Sequence, residues 1–199
     1  MDSWIAQFIE QMGYLGVAVL MFLETVFPPI PSEVIMPVAG VVAQQGKLSL
    51  PIVIVAGTIG AMAGNILWYV VANWLGIERF KPLVERWGRW LTVDWAEIER
   101  ARTLFEKHGG TIVFIGRMLP TIRSLVSIPA GLLHMKPVPF LIWSTIGSAI
   151  WTAGLAIAGY LLRSQFEQID RYIGPVSYTI IGLIVLYYLY RVATWKKAR

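Results

Sequence analysis

Apolar residues run through this chain in long blocks, and charged residues gather between them. Residues 48–77, 137–162 and 172–190 contain no Asp, Glu, Lys or Arg. Roughly 20 apolar residues of helix cross the hydrocarbon core of a bilayer. The blocks therefore predict transmembrane helices over 51–76 and 138–162 and a third, C-terminal one within 172–195. Other stretches repeat with the helical period. In "MDSWIAQFIEQM", Trp4, Ile5, Phe8, Ile9 and Met12 share one face, and Asp2 or Ser3 can cap the helix. That predicts an amphipathic helix lying on the membrane surface. Between 78 and 107, Phe80, Leu83, Val84, Trp87 and Leu91 form one face, opposite Arg79, Lys81, Glu85, Arg86 and Arg89. A second helix there starts near Asp94, carries Trp95, Ile98, Ala101 and Phe105 on one side, and ends at "HGG", 108–110.

Two apolar stretches do not read as clean spans. "FPPIPSEVIMP" holds Pro28, Pro29, Pro31 and Pro37. Each interior proline removes an N–H and clashes with the preceding turn, so the helix is expected to break there. The limb before it, 14–27, is short for a span. Residues 111–135 repeat the arrangement: a short apolar limb, a break at Pro120 and Pro129, then "AGLLHM". Short limbs around a break suggest re-entrant segments, whose irregular backbone is tolerated at depth only under cover of protein or a watery cavity.

The two stretches belong to an internal repeat. "PVAG" (37–40) resembles "IPAG" (128–131), which aligns Gly40 with Gly131 at an offset of 91. "TIGA" (58–61) resembles "TIGS" (145–148) at an offset of 87. A re-entrant loop crosses zero times and the span after it crosses once. The second copy then starts on the opposite side, which makes an inverted-topology repeat. The expected fold is an all-α polytopic membrane protein in a single membrane domain. Residues 1–77 form the first repeat, 78–108 interfacial helices, 109–165 the second repeat and 172–195 a last transmembrane helix.

Composition agrees with this reading. Of 199 residues, 56% are hydrophobic and 15% charged, against about 25% charged in a soluble domain. No removable signal peptide is expected, because the first Lys or Arg is Lys47. Cys is absent, which excludes disulfides and thiolate metal sites. The net charge is +5, and 11 of the 17 Lys and Arg lie in 78–107 and 191–199. Basic blocks flanking spans read as cytoplasmic and as facing anionic lipid, not nucleic acid. The C-terminus is then cytoplasmic.

Four charges remain unexplained. Glu24 and Glu33 are the only charged residues in 11–46, and Arg117 and Arg123 the only ones in 108–135. A charge at membrane depth is costly unless paired or hydrated. Two arginines at a broken helix suit a phosphate. The same residues could instead tie the two loops together, or the arginines could snorkel to the headgroups. With both acids ionised the set is neutral, whereas a phosphate monoester carries about −1.5 to −2. Protonating Glu24 or Glu33 would free an arginine for it and couple protons to phosphate. His108 and His134 have no metal-ligand spacing, and no nucleophile–base set is present. No catalytic residue, metal or cofactor is expected, and the chain does not read as an enzyme.

"FLETVFPPIPSEVIMPVAG" and "FIGRMLPTIRSLVSIPAGLLHM" resemble the two signature segments of the DedA family of SNARE-associated, or VTT-domain, membrane proteins. "TIGSAIW", with Gly147 and Trp151, and Gly159-Tyr160 are similar too, so the resemblance covers roughly 10–165. It implies two re-entrant loops facing each other and a lipid-translocating function. The "PPIPSE" form is similar to the bacterial undecaprenyl phosphate translocase branch. Carried over, the family's important acids fall on Glu24 and Glu33, as proton-coupling groups, and its essential arginines on Arg117 and Arg123, as phosphate-binding groups. Pro28, Pro31, Pro37, Gly40, Pro120, Pro129 and Gly131 are expected at loop breaks and packing points. The chain departs from the family at Gly64-Asn65, where Gly-Asp is common. The expected function is proton-driven flipping of undecaprenyl phosphate across the bacterial cytoplasmic membrane, for reuse of the cell-wall carrier. Alternatives are a phospholipid scramblase or phosphatidylethanolamine translocase, and a non-transporting scaffold. Expected partners are a polyprenyl phosphate or phospholipid, protons and membrane lipids, with self-association left open.

Overall fold

A computed structural model describes residues 4–27, 32–91, 95–120 and 122–162, and only the backbone of 80–101. The proposed caps Asp2 and Ser3, the prolines 28, 29 and 31, the side-chain faces within 80–101 and the helix expected over 172–195 lie outside the described residues. Six helices follow in order: α1 (Trp4–Val26), α2 (Ser32–Gln44), α3 (Leu50–Leu91), α4 (Trp95–Met118), α5 (Ser127–Leu132) and α6 (Pro137–Leu161). No strand occurs among the described residues.

By length and composition, Trp4–Val26, Leu50–Arg79 and Pro137–Leu161 can each cross a membrane. The chain is a multi-pass membrane protein. Two of these helices are the spans expected over 51–76 and 138–162. α3 changes direction at Gly76 (φ 66°, ψ 160°), where the charge-free block ends. α4 kinks at His108 (φ −133°, ψ 24°), at the "HGG" stop. α1 kinks at Gly13 (φ 59°, ψ −136°), a conformation that needs glycine. From Tyr14 onward α1 reaches about 20 Å at 1.5 Å per residue, short of the roughly 30 Å core.

The N-terminal turns of α1 divide the expected apolar face, with Trp4 (58% exposed) and Met12 (46% exposed) on the outside. Ile5, Ala6 and Ile9 are buried in the main core with Val42, Ala43 and Val53. Burying them against α2 and α3 removes apolar area from solvent that the headgroup region would only half cover. Lys47 pairs with Glu10 at 2.9 Å, and the Ser49 backbone N–H donates to the Tyr14 hydroxyl at 2.9 Å. Both contacts fasten α1 to the turn between α2 and α3.

Two prolines also behave differently from expectation. Pro37 lies inside α2, and Pro129 lies in the first turn of α5. First-turn N–H groups have no intrahelical partner, so Pro129 removes nothing. Pro37 removes one hydrogen bond and in return brings its carbonyl against Gly159 of α6, so close that a Cβ on Gly159 would collide with it. Among the described prolines, Pro120 stands at a break as expected. α4 ends at Met118, and the chain turns through Arg123 N–H to Leu119 O (3.0 Å) and Val126 N–H to Ile122 O (2.9 Å).

Helix packing follows the internal similarity. α1 packs on α3 and α4 on α6, while α2 crosses to α6 and α5 crosses to α3. The second short limb of each half thus lies on the long helix of the other half. Gly40 meets Ala156 and Tyr160 of α6, and Gly131 meets Tyr69, Ala72 and Asn73 of α3. The glycines are 91 positions apart, and their partners Tyr69 and Ala156, or Asn73 and Tyr160, are 87 apart. These are the two offsets seen in the sequence. At both glycines a Cβ would overlap a facing backbone carbonyl, so no side chain fits without parting the helices. Gly131→Val is expected to destabilise the protein by about 2–3 kcal/mol or more through overpacking, read as a lower unfolding temperature in detergent.

Candidate functional site

The site forms where the end of α4, the turn after it and the end of α1 meet α3 and α6. Arg117 occupies the last turn of α4. It fits beside α6 because residue 147 is glycine: a Cβ there would lie 2.7 Å from the Arg117 Cβ. The guanidinium is 2% exposed. Nη1 donates to Asn65 Oδ1 at 2.8 Å and to the Arg123 carbonyl. Nη2 donates to Ser127 Oγ at 2.7 Å and Ser144 Oγ at 3.1 Å, and Nε reaches Ser144 Oγ at 3.4 Å. The Phe140 ring centroid lies 5.8 Å from the guanidinium carbon. Every one of these partners is neutral, and Arg117 touches no carboxylate among the described residues.

Arg123 is held differently. Its Nη2 donates to Glu24 Oε1, forming an ion pair between residues 99 positions apart. Both side chains are under a tenth exposed. The guanidinium carbon also sits 5.7 Å from the Trp151 ring centroid, a cation–π arrangement. Thr25 Oγ1 donates to Met21 O at 2.9 Å and lies 3.3 Å from Glu24 Oε2. Glu33, half-buried in the first turn of α2, is near enough to Glu24 to repel it but makes no ion pair among the described residues. Of the four expected charges, then, Glu24 and Arg123 are joined, Arg117 lies beside them, and Glu33 stands apart as a like charge to Glu24.

Thr25, Asn65, Ser124 and Ser148 line a small cavity together with the two arginines. It has room for about one water molecule. A phosphate could enter only if the loops moved apart. Next to it, Thr58 and Thr152 share a hydrogen bond of 2.9 Å between α3 and α6. Among the described residues no cluster of three His, Asp or Glu could hold a metal. His134 has φ 53° at the end of α5 and pairs through Nδ1 with Asn73 Oδ1 at 2.8 Å, a contact between helices away from the arginines.

Asn65, Ser127 and Ser144 were not among the expected site residues. Asn65 carried a signal, being a strongly polar side chain in a charge-free span, at the position where the sequence departs from the family pattern. The serines carried none, because serine is common at close helix contacts in membranes.

The VTT domain family matches residues 30–161 of the chain. Undecaprenyl phosphate transporter A of Staphylococcus aureus (strain NCTC 8325 / PS 47) is 32% identical over 194 residues, covering 96% of each chain. The protein of that name in Bacillus subtilis (strain 168) is 27% identical over 196 residues, covering 96% of this chain and 95% of its own. An alkaline phosphatase-like protein of Lactococcus lactis subsp. lactis (strain IL1403) is 36% identical over 200 residues, covering all of this chain and 94% of its own. No solved structure matches the chain.

Proposed function

The chain belongs to the VTT-domain (DedA) family, and from that premise we propose that it is a transporter returning undecaprenyl phosphate to the cytoplasmic face of a bacterial inner membrane. The names of two relatives support the lipid. The observation that carries the reading is the buried Arg123–Glu24 pair, set beside an Arg117 whose partners are all neutral. With both acids ionised, the two guanidinium groups and the carboxylates of Glu24 and Glu33 sum to zero. Protonating Glu24 frees Arg123 and leaves a net positive charge to meet a phosphate monoester of about −1.5 to −2. Arg123 then exchanges its carboxylate for the phosphate while Arg117 stays in place. Proton uptake and phosphate uptake become one event, and a proton gradient drives net movement. Glu33 takes part through its place in the first turn of α2, near Glu24.

The two broken limbs are read as re-entrant loops in an inverted-topology repeat. The exchange of short limbs between long helices supports that reading, as do the paired glycines. Opening the seam between repeats alternately to each side would expose the arginines to each leaflet in turn. The charge rule puts the C-terminus in the cytoplasm.

The test uses purified protein in vesicles. Undecaprenyl phosphate is expected to cross faster with an imposed pH gradient, and phosphatidylethanolamine is not. Equal flipping of both lipids, with no effect of the gradient, would replace the reading with a scramblase. Release of inorganic phosphate from the lipid would replace it with hydrolysis, the chemistry in the Lactococcus protein's name. Substituting Glu24→Gln and Glu33→Gln together is expected to flatten the dependence of phosphate-lipid binding on pH. A pH profile identical to wild type would remove the proton coupling.

A further inference from the structure

Two buried polar atoms have no hydrogen-bond partner among the described residues: Nε1 of Trp151 and Oγ of Ser32. Buried donors are nearly always satisfied, so each exception calls for a cause. The first contacts Arg123, and the second adjoins Glu33, whose charge acts on Arg123's partner Glu24. The Trp151 ring lies beneath the Arg123 guanidinium. Ser32, 0% exposed, opens α2 directly before Glu33, the residue that repels Glu24. The guanidinium itself has five N–H donors and, among the described residues, makes one hydrogen bond, to Glu24. At the start of α2 the first-turn backbone N–H groups also lack intrahelical acceptors. The region thus has an excess of donors over the two carboxylates, Glu24 and Glu33, that could receive them.

We propose that the Trp151 indole N–H and the Ser32 hydroxyl are ligands of the substrate phosphate, donating to its oxygens when Arg123 leaves Glu24 for it. The inference rests on the transport reading above and adds two residues to its binding site. A phosphate monoester offers several acceptor oxygens and no obligatory donor, so it suits a group of donors. An indole N–H can donate but cannot accept, so it rewards an anion and gives an ammonium headgroup nothing. Neither group titrates in the working range, so both contribute the same at every pH, unlike Glu24. In the substrate-free state both donors lack a partner, and binding supplies one.

Full-length protein in nanodiscs is titrated with undecaprenyl phosphate and, separately, with undecaprenol, which has the same chain and no phosphate. Trp151→Phe keeps a ring under Arg123 and removes the N–H together with the fused five-membered part of the indole. Ser32→Ala removes only the hydroxyl. Each is expected to weaken binding of the phosphate lipid about tenfold or more and to leave undecaprenol binding unchanged. The lipid-free unfolding temperature of Ser32→Ala should stay the same or rise, because no protein hydrogen bond is lost, whereas Trp151→Phe also loses ring volume. Wild-type affinity for the phosphate lipid in both variants overturns the inference and leaves the transport reading intact. A fall in the lipid-free unfolding temperature of Ser32→Ala also overturns it, by assigning that group to the fold. If wild-type protein binds the phosphate lipid and undecaprenol equally, both the inference and the transport reading fail.

Discussion

Arg117→Ala is expected to leave little folded protein. One guanidinium joins Asn65 of α3, Ser127 of α5, Ser144 of α6 and the backbone of the turn at Arg123. Truncation strands the Arg123 carbonyl oxygen, at about 1–3 kcal/mol, leaves Asn65 Oδ1 with only a 3.4 Å contact to Ser127 Oγ, and opens a cavity the size of a long side chain. It also relieves the desolvation of a buried charge, and the water-sized cavity beside Asn65 can offset only part of what the acceptors lose. The net loss is on the order of 3–5 kcal/mol, a large share of the roughly 5–15 kcal/mol that holds a domain together. Arg117→Lys should recover only part of it, because a single ammonium cannot serve acceptors spread around a planar fork. The measurements are the yield of monodisperse protein after extraction and the unfolding temperature in detergent. A stable Arg117→Ala protein that fails only in transport would make Arg117 a phosphate ligand instead of a strut.

Arg123→Ala is expected to give the opposite result, a folded protein that does not transport. Among the described residues, Arg123 makes one side-chain hydrogen bond, to one carboxylate. Its removal leaves Glu24 buried without its partner, and a buried acid in that position takes up a proton instead of remaining charged. The fold then survives with a neutral Glu24, whereas the phosphate has lost the group that exchanges onto it. Phosphate-lipid affinity should fall by about 100-fold, the upper part of what a hydrogen bond to a charged group contributes. Flipping should fall to the rate of protein-free vesicles, and the response to a pH gradient should vanish with it. Flipping at half the wild-type rate or better in Arg123→Ala would sink the exchange mechanism. The contrast between the two arginines is the sharper test, since a shared role predicts the same phenotype for both.

Much of the fold is legible in the chain because membrane helices declare themselves locally. Charge-free blocks mark α3 and α6, since every charge at depth is costly. Gly76 and "HGG" mark changes of direction, and the Gly40/Gly131 match marks the repeat. The short N-terminal helix was legible as amphipathic, but not what its apolar face covers. A periodicity of 3.6 residues shows that one face is buried and cannot show whether protein or lipid buries it. Pro37 and Pro129 were read as breaks for a related reason. A proline's cost is local, and the close helix contact that offsets it at Pro37 comes from α6, more than 100 residues along the chain.

The same division runs through the site. The sequence alone marked Glu24, Glu33, Arg117 and Arg123 as charges that need pairing, hydrogen bonds or hydration at that depth. It could not determine which acid meets which base, since any of the pairings balances the charge equally well. Tertiary structure decided it. Packing at Gly147 sets Arg117 against α6, among oxygens of Asn65, Ser127 and Ser144 that are individually unremarkable in a sequence. The turn after Pro120 then leaves only Arg123 within reach of Glu24. Two residues that look alike in "GRMLPTIR" therefore acquire different surroundings, one fully hydrogen-bonded and one held by a single exchangeable carboxylate. Charge sets the demand for a partner, but distance chooses the partner, and across 99 residues of chain distance is a property of the packed helices.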